Sequence, residues 1–268
     1  MAQCVGSMLA VALTRLAGTT PVEVFGAVVQ RAALPLYLAP RGRYPPPAMR
    51  TISLSAFSLD LFTGELGHAL TRSRDEALWS ALEQHALVDA ERVALAANAE
   101  RLKRFHAARA NEATLWSRAI YPLLMLAERD DILAWAQAPL VTRWPPGDFE
   151  LRGVADGALA RDEAGLPAEP YLLVIEAKRG VDAQDPMAQC VGSMLAVALT
   201  RLAGTTPVEV FGAFTIADTW TFVRAALATD PQDAARLRLD LNTSREYEGR
   251  FESTLILAIL KGVVQRVA

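Results

Sequence analysis

The sequence predicts an α/β fold, a mixed central sheet flanked by helices, with an N-terminal helical extension. Three observations carry this. Helical and strand-like hydrophobic patterns alternate from Asn111 onward. Two adjacent segments, FELRGVADGALAR and YLLVIEAKR, read as strands separated by a Gly/Pro-rich stretch. The chain, with 268 residues of which 52% are hydrophobic, is large enough to bury a sizeable core.

Residues 1–50 combine an apolar opening with the Pro-rich stretch from Pro40 to Pro47, which reads as an extended linker and places a boundary near residue 50. Residues 51–110 are expected to form the helical extension. Ser73 and Glu76 are spaced as a capping box, and apolar residues recur at helical intervals to about His106. Arg101, Lys103, Arg104 and Arg109 thicken the end of that run. They suit the negative end of the helix dipole, which is the reading to prefer; a face that contacts phosphate is the less favoured alternative.

Residues 111–268 are expected to be the core. Asn111 is placed to cap a helix running to Ala136, with Pro122 kinking or dividing it. The two strands follow as a hairpin whose long loop is DEAGLPAEP. Asp185 and Pro186 then open a mostly buried helix through Leu202 that stops at Gly204. PVEVFGAFTIADTWTFVR supplies two further strands around Ala217 and Asp218. RLRLDL is a short alternating strand, and ESTLILAILKGVVQRV is a final apolar helix.

Composition narrows the function only a little. The net charge is −3, so any phosphate contact must come from local basic patches. The two cysteines, Cys4 and Cys190, fall at one place of a duplicated segment and make no disulfide framework, which fits a reducing, cytoplasmic setting. The opening apolar run lacks a basic n-region and its duplicate lies deep in the chain, so no export signal or membrane span is expected. His68, His85 and His106 fall on presumed helices without zinc-ligand spacing, and no Ser or Cys has a nucleophile's context.

Only three of the 27 basic residues are Lys, and one of them, Lys178, belongs to the chemically distinctive cluster. Asp156 in GVADGAL, and Glu176 and Lys178 in LLVIEAKRG, interrupt apolar strands, where charge rarely sits without a partner. Glu176 and Lys178 are two apart and share one face; Ala177 faces the other way. Pairing of the hairpin can bring Asp156 to the same place. Two carboxylates beside an ammonium suit a hard divalent cation, Mg²⁺ or Mn²⁺, that completes its shell with water and substrate phosphate. Phosphodiester hydrolysis is the matching reaction class. An ExK triplet alone is more often a structural ion pair, and that reading requires Asp156 to lie far from Glu176. Asp148 and Glu150 precede the apolar run and are expected to face solvent, while Asp182 and Asp185 read as turn and cap residues.

These pieces resemble the PD-(D/E)xK, or restriction-endonuclease-like, nuclease superfamily. The matching segments are NEATLWSRAIYPLL, GVADGAL, LVIEAKRG, the AQ that opens the next helix, and VFGAFTIADTWTFVR. The first and its PLL are most like the N-terminal nuclease domains of type I restriction motor subunits. The resemblance covers about residues 111–268. It implies a restriction-endonuclease-like core acting on nucleic acid, DNA rather than RNA. It also implies that Asp156, Glu176 and Glu112 serve as metal ligands, Lys178 as the catalytic cation, and Gln189 as a supporting residue. Ala155 stands where the superfamily's nominal Pro would be. A catalytically silent module of the same fold, binding nucleic acid or a partner protein, is the competing reading.

Residues 1–27 recur letter for letter at 187–213, and Val28 to Arg31 repeat Val263 to Arg266. Only the second copy follows the E-x-K strand and so places its Gln beside it, which makes it the copy expected to work in the fold. The first reads as a recent reprint of the C-terminal part, or as a segment that docks on another protomer in a domain-swapped homodimer. Deleting residues 1–33 is expected to leave cooperative unfolding and any activity intact; loss of a cooperative transition in the truncated protein would defeat that expectation.

Overall fold

A computed structural model describes residues 49–178 and 185–267. The duplicated segment at 1–27, the Pro-rich linker, Asp182 and any exchange through the N-terminal copy lie outside these residues.

The described residues open with β1 (Arg50–Ser53), two short helical turns (Leu54–Ala56 and Leu61–Glu65) and β2 (Ala69–Ser73). Helices α1 (Glu76–Glu83) and α2 (Asp89–Lys103) follow. Next, α3 (Glu112–Leu115) runs through a π-helical turn (Trp116–Ile120) into α4 (Tyr121–Leu126). Three strands come next: β3 (Ile132–Trp144), β4 (Phe149–Glu163) and β5 (Leu166–Lys178). The chain finishes with α5 (Pro186–Arg201), β6 (Val208–Ile216), β7 (Thr219–Thr229), β8 (Leu237–Glu248) and α6 (Gly249–Val267). All eight strands form one mixed sheet along the path β1-β4-β5-β6-β7-β8-β2, with β3 also paired to β4. The pairs β1–β4, β5–β6 and β2–β8 are parallel, and the others antiparallel.

The sheet separates two apolar layers. On one face, α5 buries Val191, Met194, Leu195 and Ala198 against Val174, Val223 and Leu239, joined by Phe57 and Phe62. On the other, α1, α2, α4 and α6 bury Trp79, Leu95, Leu123, Ile256 and Leu260 against Leu173, Phe211 and Phe222. An α/β sheet covered on both faces is what alternating helical and strand periods dictate, because each apolar face must find a partner.

Several local expectations hold. Asn111 caps α3, accepting from the Thr114 N–H at 2.8 Å, and Asp185 caps α5, accepting from Met187 and Ala188, with Pro186 at the first helical position. The turn between β6 and β7 falls at Ala217 and Asp218.

Others are corrected. The helix from Asn111 ends at Leu126 with Ala127 as its C-cap, and of the residues expected to extend it to Ala136, those from Ile132 begin β3 instead. There the Glu128 carboxylate accepts from Ala134 N–H, and exposure alternates along the strand. Among the described residues β3 pairs only with β4, and a sheet edge tolerates Pro139, which has no N–H to donate. Residues 51–110 are more than a helical extension, because β1 and β2 enter the sheet. The cap of α1 is Asp75 rather than Ser73, and the helical run to His106 breaks between α1 and α2. The β4–β5 loop is a two-residue turn, Ala164–Gly165, with both φ values positive (55° and 81°), as tight hairpins of the I′ kind require. His68 lies in no helix; it is buried between the rings of Phe62 and Phe149. Glu150 does not face solvent. It is buried, and its two oxygens accept from Arg143 and Arg152 at 2.8 and 2.9 Å, which hold its carboxyl below the usual range.

Candidate functional site

β4 has two edges, and β3 occupies one of them from Phe149 to Arg161. The other edge is shared: β1 pairs with Phe149 to Arg152, and β5 pairs with Gly157 to Glu163. Residues 153–156 lie between these two ladders, at a fork where β5 leaves β4 and β1 takes its place. The end of β5 past the fork remains held from its far side by β6, with Glu176 opposite Phe214 and Lys178 opposite Ile216. Asp156, Glu176, Lys178 and Gln189 line a pocket of about 340 Å³ at this fork. Thus four of the five predicted site residues share one wall of the molecule.

Each is positioned by a local cause. Along β4 the strict alternation slips at Asp156 and Gly157, since Ala155 and Ala158 both join the layer under α5. Gln137, opposite Asp156 across the β3 ladder, adopts a left-handed conformation with φ 56°. Past the fork, the Ala177 N–H faces a strand that has turned away. Asp156 Oδ2 accepts it at 2.8 Å, so a carboxylate does the work of a missing ladder carbonyl. That bond fixes the carboxyl between the side chains flanking Ala177.

Glu176 and Lys178 do share a face, and their charged ends meet at 2.6 Å. The Glu176 side chain is only 9% exposed. Burial, and after it the charge of Asp156, push its carboxyl up to about 7; the Lys178 ammonium pulls the other way, and Glu112 adds to the rise. Burial would lower Lys178, but its bond to Glu176 and the charges of Glu176, Asp156 and Glu112 hold it above its ordinary value. Gln189, buried in the first turn of α5, donates from Nε2 to the Ser55 carbonyl at 3.2 Å and ties that helix to the segment after β1. The neighbouring Cys190 thiol is buried, and burial followed by the charge of Glu176 pushes it far up, so it stays protonated and is no nucleophile.

Glu112 stands apart. It opens α3, is exposed, and does not line the pocket, although its charge reaches both Glu176 and Lys178. Among the described residues, no group of three His, Cys, Asp or Glu side chains is close enough to share an ion. The structure therefore brings two carboxylates together with the ammonium and leaves the third expected ligand outside the group.

Ser53, Leu54, Ser55, Gly153 and Val154 also line the pocket, and none of them was expected from the sequence. Gly153 carried a signal in hindsight. A Cβ there would stand 2.7 Å from Leu54 Cβ, so glycine is what admits the segment after β1. Gly157 similarly seats the Trp116 indole, 1.9 Å from where its Cβ would be. Trp116 thus braces the strand beside Asp156.

No helix among the described residues is long and apolar enough to cross a membrane. Compared with models of known protein families and with curated protein sequences, the chain matches none.

Proposed function

We propose that the protein is a metal-dependent nuclease that hydrolyses phosphodiester bonds, with DNA the preferred substrate over RNA, in a cytoplasmic setting. The observation that carries this reading is the convergence of Asp156, Glu176 and Lys178 on one pocket at the sheet fork. The mixed sheet between two helical layers suits a restriction-endonuclease-like core, and the order of Asp156, Glu176, Lys178 and Gln189 along it agrees with that resemblance.

The donor set fits Mg²⁺ or Mn²⁺. Two carboxylates line one pocket, and the Glu176 carboxyl is pushed up first by burial and then by the charge of Asp156, an arrangement that a cation would relieve. Asp156 and Glu176 would hold the ion, with water and substrate phosphate completing its oxygen shell. A bound ion there supplies a more acidic water and an electrostatic counterweight to charge on the phosphoryl oxygens. Lys178 orients the attacking water or offsets charge that develops on phosphate. Asp156 keeps its own geometry through the Ala177 N–H, and Gln189 fixes the pocket wall through Ser55. Glu112 acts at a distance through its field rather than as a ligand in this arrangement.

Incubating plasmid and single-stranded DNA with Mg²⁺ or Mn²⁺ tests the proposal. The natural protein should cleave, and Lys178→Ala should be slower by about 10²-fold or more, the usual loss when one such electrostatic group is removed. Equal cleavage by both proteins would overturn the mechanism. Inactivity of both, with DNA still bound, would point instead to a catalytically silent module.

A further inference from the structure

A second pocket, also of about 340 Å³, lies between the last turns of α2 and the π-helical turn that follows α3. Arg101, Leu102 and Phe105 form one side, Ser117 and Arg118 the other, and Asn98 contributes from within α2. From these features we infer that it is a phosphate-binding site, separate from the pocket at the sheet fork.

The lining contains two guanidiniums and no carboxylate. Neither Arg101 nor Arg118 has an ion-pair partner among the described residues, whereas the nearby Lys103 is paired to Glu100 at 2.7 Å. The Arg118 guanidinium stands 5.5 Å from the centre of the Phe105 ring, and both belong to the pocket wall. Stacking of this kind holds the planar fork in place and leaves its N–H edge for a ligand. Asn98 is 5% exposed, and its Nδ2 has no hydrogen-bond partner among the described residues. A buried amide with an unmet donor is costly unless something accepts from it. Ser117 adds a hydroxyl, which donates to the Thr114 carbonyl at 3.2 Å.

The helix dipole offers a simpler account of Arg101, which sits in the last turn of α2. It does not account for Arg118 on another element or for the unmet amide of Asn98. Two guanidiniums, an amide donor and a hydroxyl around one small cavity match the several acceptor oxygens and double charge of phosphate, which forked guanidiniums recognise best. The phosphate could belong to a free phosphorylated molecule or to a nucleic-acid backbone. Trp116, which begins the π-helical turn, packs on Gly157 beside Asp156, so a ligand here would adjoin the element that braces the first pocket.

The test uses the full chain in chelator, without divalent metal, so that it does not depend on cleavage. Inorganic phosphate should raise the melting temperature saturably, beyond a chloride control of equal ionic strength. The double substitution Arg101→Ala/Arg118→Ala should weaken that affinity by about tenfold or more, since each lost charge-assisted bond is strong. Arg101→Glu should weaken it further than Arg101→Ala, and Asp156→Asn should leave it unchanged. Both arginines are exposed, and circular dichroism would show that the variants remain folded. Two further arms identify the source. If a 5′-mononucleotide loses affinity in the double variant and an oligonucleotide without terminal phosphate does not, the ligand is a free phosphorylated molecule. If the oligonucleotide loses affinity too, the site holds the backbone. Either result supports the site. Failure of phosphate to bind saturably, or binding undiminished in the double variant, would overturn it.

Discussion

Asp156→Asn should slow metal-dependent cleavage by about 10²-fold or more at nearly natural stability, whereas Asp156→Ala should slow it as much and also lose roughly 1–3 kcal/mol of folding free energy. The difference follows from the two tasks of one carboxylate. As a charge it is half of the proposed cation site, and removing it should slow cleavage by about 10²-fold or more. As an acceptor it takes the Ala177 N–H at 2.8 Å, where β4 and β5 have parted and no ladder carbonyl is available. Asn retains an oxygen for that N–H and relieves repulsion of Glu176. Ala leaves a buried donor unmet. Cleavage assays together with denaturant titrations would check both. An Asn variant within a few-fold of natural activity would remove Asp156 from the mechanism, and an Ala variant as stable as the Asn variant would show that the bond to Ala177 contributes little.

Without divalent metal, Glu176→Gln should gain stability relative to the natural protein as pH rises from about 4.5 to 7, on the order of 2–3 kcal/mol across that window. The folded carboxyl binds its proton up to about 7, against 4.5 ordinarily. The folded state therefore carries more protons than the unfolded chain between those values, and stability falls as pH rises through them. Gln cannot ionise and removes this slope. His68 has the opposite effect: burial first, and then the charge of Arg236, lower its imidazole to about 4 from 6.5. Its contribution is complete above 6.5 and is lost as pH falls toward 4. The two slopes oppose each other in the natural protein, so Glu176→Gln should unmask a steeper acid destabilisation. Added Mg²⁺ should flatten the difference from the other side, stabilising the natural protein at pH 7.5 and releasing protons when it binds near pH 6. Melting temperatures across pH 4–8 would measure this. Parallel curves for the two proteins would mean that Glu176 titrates as an ordinary carboxyl.

Much of the second half was legible because its signals are local. Asp185 and Pro186 announce a helix start through capping chemistry alone, and Glu176 and Lys178 share a face because a strand repeats every two residues. β3 was not legible. Its Ala-rich first half, ILAWAQA, has no strong strand composition, and an apolar helix immediately precedes it. Nor were β1 and β2, since each is short and parallel to a strand far along the chain. Glu150 misled for a related reason: its partners Arg143 and Arg152 are set beside it by the β3 ladder and by its own strand, so an acid that looks exposed in sequence is covered by two guanidiniums.

From the amino acids alone came the α/β class, the caps of α3 and α5, and the pairing of an acid and an amine on one strand face, because each depends on chemistry within a few residues. Tertiary structure decided three other matters. It opened the fork that lets Asp156 reach the Ala177 N–H, closed the pocket with Ser53 to Ser55, and left Glu112 outside the group. These depend on which distant strand occupies each stretch of the β4 edge. Long-range pairing of that kind is chosen by the burial of whole faces, and no local spacing encodes it.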